Sequence, residues 1–344
     1  MLTAAAILLR VVRRILPIAV ALLLALPAAA AASGPRLTVP KAEMAAALHC
    51  PIDPAGAKRT PLMYVTGTGA TGAQGYLIGQ SAFEAYGHPV CYVDFPDYTT
   101  ADIQVSVQYL VYAIRKEFRV AGRKVAMIGI SQGGLLPRFA LTYWPDLRRK
   151  VSDVVAAAGT QHGTTVFRDC SATAPCTPAG WQQIQGSHLL TALAAQPDET
   201  PGPVSYTTVR SLADETVQPQ DGPHPTSALR GARNILIQDV CPGRTTSHIG
   251  TAVDSITFAA FVDAVAHKGR GSKGAAKASR FPPGVCDHPY ADGLDEARTT
   301  AFLAGSGGLV GMQQAAAPKV GAEPSSGRAA SGDVVPIGRV RPRR

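Results

Sequence analysis

The chain has 344 residues, 46% of them hydrophobic and 17% charged, with a formal net charge of +9 at pH 7. Arg10, Arg13 and Arg14 supply three of those charges. Lys319, Arg328, Arg339, Arg341, Arg343 and Arg344, set against Glu323 and Asp333, supply four more, so residues 33 to 305 carry only about +2. With no basic stripe interleaved with aromatics, this distribution excludes a nucleic-acid partner, and the absence of a CxxC pair or a ligand-spaced Cys/His cluster excludes a structural metal.

The N-terminus reads as an export signal over residues 1 to 32. A cationic stretch is followed by an apolar run from Ile15 to Leu26 and by small residues from Ala28 to Ala32, which places cleavage near Ala32–Ser33. The run is shorter than the ~20 apolar residues that span a bilayer. About 310 residues remain, enough for one large α/β domain or two small ones. Six cysteines in an exported chain read as three disulfides.

Met44, Ala47 and Leu48 form a short apolar helical face in the lead-in. Leu62 to Val65 reads as a buried strand, followed by a Gly/Thr loop from Gly67 to Gly75, and Val90 to Val93 as a second strand. Ile103, Val107, Leu110, Ile114 and Phe118 mark one face of an amphipathic helix opened by Thr99 or Thr100. A strand from Lys124 to Ile130 runs into Ser131-Gln132-Gly133-Gly134 and then a helix through Trp144, in which Pro137 is tolerable only if the helix starts near Gly133. Further strands are expected at Val151–Ala158, Val204–Val209 and Asn234–Val240, and a helix over 250 to 267. Residues 159 to 203, rich in Gly, Pro and Thr, read as an insertion that walls a site. The alternation predicts an α/β fold: a mostly parallel central sheet with helices on both faces, spanning 33 to 305. Residues 306 to 344 read as a basic, Ala/Gly/Pro-rich tail, disordered past about residue 315.

Gly129-Ile130-Ser131-Gln132-Gly133 matches G-x-S-x-G between a strand and a helix. This pattern exposes a serine hydroxyl on a tight turn at a helix N-terminus, where partial positive charge favours a developing anion. Serine needs a histidine to take its proton and a carboxylate to fix the histidine tautomer. In the α/β-hydrolase chain order of serine, acid, histidine, Asp214 and His248 follow late strands in the right places. Glu215 and Asp239 are substitutes for the acid. His224, flanked by prolines, reads as a surface residue, and His49, His88, His162, His188, His267 and His288 lie elsewhere in the topology or in the insertion. Oxyanion donors are expected at the backbone N–H of Gln132 and in Gly67-Thr68-Gly69. That loop could also be a plain turn, and it lacks the G-K-[ST] of a phosphate loop.

At these residues the chain resembles the Candida antarctica lipase B family of secreted α/β-hydrolase lipases and esterases. The similarity spans about residues 44 to 300. It runs through Gly67-Thr68-Gly69-Ala70-Thr71-Gly72, Ser131-Gln132-Gly133-Gly134-Leu135, Trp181-Gln182-Gln183 with Gly186-Ser187, Asp214-Glu215 with Val217-Gln218-Pro219-Gln220, and Val240-Cys241 with His248 and Gly250. The resemblance implies Ser131, Asp214 and His248 as the triad. Thr68 would give both its N–H and its hydroxyl to the oxyanion beside Gln132, and Thr160 and Gln183 would stand in the pocket wall. Thr160 aligns with an aspartate of the family and Ala70 with a threonine, and the family's Ala-rich C-terminal region is missing or degraded after Leu303. The resemblance also implies Cys50–Cys91 and Cys241–Cys286 disulfides, which leaves Cys170 and Cys176 as the third pair.

The function expected is ester hydrolysis through an acyl-enzyme, without a cofactor, by a monomer acting on ester or lipid substrates at or away from a lipid–water interface. Two alternatives carry different chemistry. One is acyl transfer to an envelope lipid or sugar through the same triad, and the other is a non-catalytic secreted binding module.

Overall fold

The computed structural model describes residues 33–325 other than 268 and 270, so the export signal and residues 326–344 lie outside the described residues. Seven strands form one sheet: β1 (Leu48–His49), β2 (Leu62–Val65), β3 (Val90–Val93), β4 (Val125–Ile130), β5 (Val151–Ala157), β6 (Ser205–Arg210) and β7 (Arg233–Leu236). Their order is β1-β3-β2-β4-β5-β6-β7, and every pairing is parallel except β1 with β3. The chain steps from β2 outward to β3, returns to β4 on the other side of β2, and then proceeds stepwise to β7. That reversal opens a crevice at the carboxyl ends of β2 and β4, where open α/β sheets bind ligands.

Among the described residues, the α-helices longer than one turn are α1 (Lys41–Ala46), α2 (Gly72–Tyr86), α3 (Ile103–Ala121), α4 (Gln132–Tyr143), α5 (Pro178–Gln182), α6 (His188–Ala194), α7 (Ser255–Ala266) and α8 (Glu296–Ala316). β4 is buried along its whole length, which explains its unbroken apolar sequence. Its alternate side chains feed two cores. Val125 and Met127 join Leu110, Ile114, Phe139 and Trp144 on the α3/α4 face. Ala126, Ile128 and Ile130 join Phe83, Phe258 and Phe261 on the α2/α7 face.

Several local readings differ from the structure. Residues 72–75, read as loop, begin α2: Thr71 Oγ1 accepts from Gln74 N at 3.1 Å while Gln74 Oε1 accepts from Thr71 N at 2.9 Å. The N-cap of α3 is Asp102, which accepts from Gln104 N at 2.8 Å, rather than Thr99 or Thr100. Those threonines are turned away, with Thr99 in the left-handed region at φ 61° and its hydroxyl donating to Ala70 O. The strand expected over Asn234–Val240 ends at Leu236, because its partner β6 ends at Arg210, opposite Leu236. Without a ladder, Ile237–Val240 coils into one helical turn. The helix expected over 250–267 divides into a 3-10 turn at Ile249–Ala252 and α7, whose N-cap is Asp254.

The largest correction concerns the C-terminal region. The domain does not stop at 305, and order does not end near 315. Asp295 caps α8 by accepting from Arg298 N at 2.7 Å, and the helix runs to Ala316. Beyond it Val320 N donates to Cys176 O at 2.8 Å, the Trp181 indole donates to Val320 O at 2.8 Å, and the Glu323 carboxylate accepts from His188 N and Leu189 N at the start of α6. Disulfides join Cys50 to Cys91, Cys170 to Cys176 and Cys241 to Cys286.

Candidate active site

Ser131 sits between β4 and α4 at φ 59° and ψ −126°, a strained conformation for a residue with a Cβ. The flanking glycines are required by contact. A Cβ on Gly129 would lie 1.9 Å from Gly133 O, and one on Gly133 would lie 2.0 Å from Val65 O. α4 begins at Gln132, so Pro137 falls in its second turn, and the N–H of Gln132 has no intrahelical acceptor.

The loop after β2 arrives beside this turn. A Cβ on Gly67 would meet Ser131 Cβ at 2.9 Å. The loop is held from behind, since Gly69 N donates to Tyr98 O at 2.8 Å and Thr99 Oγ1 donates to Ala70 O at 2.8 Å. Asp97, Tyr98 and Thr99 all have positive φ, and none is glycine, so no residue type in the sequence signals this buttress. Gln182 supports the same region, accepting from Ile103 N at 2.7 Å and donating to Asp102 Oδ1 at 2.7 Å.

Asp214 and His248 meet after β6 and β7. Asp214 Oδ2 lies 2.9 Å from His248 Nδ1, and Asp214 Oδ1 accepts from Thr216 N at 2.9 Å and Val217 N at 2.8 Å. The carboxylate is fully buried and the imidazole 10% exposed. A carboxylate can only accept here, so Nδ1 carries the ring proton and Nε2 is left as the acceptor. Glu215, a substitute for the acid in the sequence reading, accepts instead from the His248 backbone N–H at 3.0 Å. Asp239, the other substitute, lines a separate pocket with Arg233 and Lys277. His49, His88, His162, His188 and His267 all have partners elsewhere.

Ser131, His248 and Thr68 open onto one cavity of about 380 Å³. The Ser131 hydroxyl makes no hydrogen bond among the described residues. The cavity walls are largely apolar, with Ile78, Ile130, Val166, Phe167, Ile249, Phe302, Leu309 and Val310, while Thr160 and Gln183 contribute polar groups. A face of α8 that includes Ser306, Val310 and Gln314 completes the enclosure. Among the described residues no group of His, Cys, Asp and Glu is arranged to hold a metal ion.

No family model matches the chain. It is 32% identical over 231 residues to lipase B of Pseudozyma antarctica, an alignment covering 66% of this chain and 67% of that protein. Its fold matches the crystal structure of Aspergillus fumigatus lipase B with a TM-score of 0.75 and 28% identity, over 85% of this chain and 72% of that one.

Proposed function

The chain belongs to the lipase B family of α/β-hydrolases, and from that premise we propose that it is a secreted serine lipase/esterase in which Ser131, His248 and Asp214 form the catalytic triad. The observation that carries this reading is the 2.9 Å contact of buried Asp214 with His248, whose ring lines the same cavity as the strained Ser131 turn.

Ser131 Oγ attacks the ester carbonyl while His248 Nε2 takes its proton. The serine–imidazole hydrogen bond, absent among the described residues, forms as substrate fills the cavity, since catalytic hydrogen bonds are often completed only in the complex. Buried Asp214 stabilises the imidazolium and keeps the proton on Nδ1. The tetrahedral oxyanion receives the N–H of Gln132 and the N–H and hydroxyl of Thr68, each donor being worth ~10²–10³ in rate. Collapse expels the alcohol with a proton from His248 and leaves Ser131 acylated. Water, deprotonated by His248, then releases the acid. No step calls for a cofactor. The apolar walls favour esters with hydrocarbon acyl or alcohol groups. Three disulfides support an oxidising, extracellular setting. Among the described residues no helix is long and apolar enough to cross a membrane.

The test is p-nitrophenyl ester hydrolysis and fluorophosphonate labelling of the protein beside Ser131→Ala. Loss of both in the variant is the expected result. Activity retained by Ser131→Ala would end the assignment, and failure of the native protein to label would favour a binding module. Adding an alcohol acceptor separates hydrolysis from acyl transfer.

A further inference from the structure

Behind the oxyanion loop four side chains are linked by hydrogen bonds. Gln132, Gln183 and Thr160 are each at most 2% exposed. Thr160 Oγ1 donates to Gln183 Oε1 at 2.9 Å. Gln183 Nε2 lies 3.0 Å from Thr68 Oγ1, 3.1 Å from Gln132 Oε1 and 3.1 Å from Ala179 O. Thr68 Oγ1 donates to Gln132 Oε1 at 2.6 Å.

The direction of this network follows from its one invariant acceptor. The carbonyl of Ala179 can only accept, so the end of Gln183 facing it, Thr68 and Gln132 is the NH₂ group. That leaves Gln183 Oε1 for the Thr160 hydroxyl. Reversing Gln132 would set its NH₂ against that of Gln183. In the orientation observed, Gln132 Nε2 is buried without a hydrogen-bond partner. Buried amides are seldom left so, and here, among the described residues, that is the cost of facing the Gln183 NH₂ with an acceptor.

A hydroxyl has one hydrogen. With Gln183 donating into the Thr68 oxygen, that hydrogen must leave the threonine as a donor. It rests on Gln132 Oε1, and a fully charged oxyanion in the cavity competes for it better than a neutral amide oxygen does. When it swings across, Gln183 Nε2 remains within reach of Gln132 Oε1 at 3.1 Å, so that buried acceptor keeps a donor. We propose that Gln183, oriented by Thr160, is a positioning residue that holds the Thr68 hydroxyl as a hydrogen-bond donor poised to move from Gln132 to the oxyanion.

This proposal rests on the assignment of Thr68 to the oxyanion hole, and a double-mutant cycle separates the two. Steady-state ester hydrolysis is measured for the native protein, Thr68→Val, Gln183→Leu and the double variant. Thr68→Val is expected to lower kcat by ~10²-fold. Gln183→Leu should lower kcat by about 10-fold with KM changed less than about 3-fold, because the hydroxyl is mis-set only where charge develops. In the Thr68→Val background the same substitution should change kcat by less than about 2-fold, since the group through which it acts is gone. Multiplying effects would overturn the role of Gln183 and leave Thr68 in place, whereas full activity of Thr68→Val would overturn both. Gln183→Glu guards against misfolding. It is isosteric, but its carboxylate accepts from Thr68 instead of donating, so it must lower kcat at least as much as Gln183→Leu and lose that effect beside Thr68→Val. Native kcat in Gln183→Glu, with an unchanged melting temperature, would also overturn the proposal.

Discussion

The two sides of the cavity are built differently. On the sheet side Ser131 follows the buried strand β4 directly, while Asp214 and His248 lie in the loops that follow β6 and β7. Gly129 and Gly133 touch neighbouring backbone closely, and Asp214 accepts three hydrogen bonds. On the other side α8 runs for 21 residues with only Thr299 and Ser306 buried, and Met312 is 66% exposed. Gly305, Gly307, Gly308 and Gly311 have open space where a Cβ would be. The side proposed to place atoms for chemistry is tightly held, whereas α8 is lightly packed, attached through the Gln313–Gln74 hydrogen bond and, beyond its end, through Val320 and Glu323. Local opening draws on such lightly packed elements.

The largest effect that tests this contrast is expected from Asp214→Asn. Exchanging the carboxylate for an amide keeps the volume but favours the wrong ring tautomer, and kcat should fall by ~10³–10⁴-fold. A loss under about 10-fold in ester hydrolysis would show that the sheet side is not the rigid determinant.

Next comes Glu117, buried in α3 with neither carboxylate oxygen hydrogen-bonded among the described residues. Burial raises its pKa from 4.5 to about 8. The folded protein therefore holds a proton that the unfolded chain releases above about pH 4.5. Stability from this group is full below that pH and is lost as pH rises through about 8. Glu117→Gln should remove the loss, gaining on the order of 4 kcal/mol at pH 8 and almost nothing at pH 4 in urea titrations. Amides of the central strands should gain protection from hydrogen exchange. If α8 opens independently, its amides will not, and equal gains in both would merge the two regions into one cooperative unit.

The converse is Gly305→Ala with Gly308→Ala. Neither addition meets an atom within 4 Å, so each should favour the helix by about 0.5–1 kcal/mol. Exchange in α8 should slow while the central strands and short-ester turnover stay unchanged. A rise in strand protection would contradict separate opening. The smallest effect is expected for Glu323→Gln, which weakens a charged cap on α6 by about 0.5 kcal/mol and should speed exchange only around residues 188–190 and 317–323.

The elements differed in how far their sequences revealed them. β4 and the G-x-S-x-G turn were legible because their requirements are local, namely a buried apolar run and two positions without room for a Cβ. The pairing of Asp214 with His248 was legible as an order along the chain, but the neighbouring carboxylate at 215 stood as a substitute. Only tertiary structure directs Asp214 to the ring and Glu215 to the backbone N–H of the same histidine. α2 went unseen behind its glycines, although Thr71 and Gln74 carry the spacing of a capping box. α8 had no comparable apolar stripe, and its place depends on its own contacts with Gln74 and Gly69 and on those of the segment after it, Val320 with Trp181 and Glu323 with α6.

By itself, then, the amino-acid sequence determined the alternation of strands and helices, the strained serine turn and the residue types able to serve it, because steric and periodic constraints act between near neighbours. Which hydroxyl hydrogen points where, which of two adjacent carboxylates meets the imidazole, and what closes the cavity were decided in three dimensions. Those outcomes depend on acceptors and surfaces that residues separated by 33 to 239 positions present to one another only after the sheet has formed.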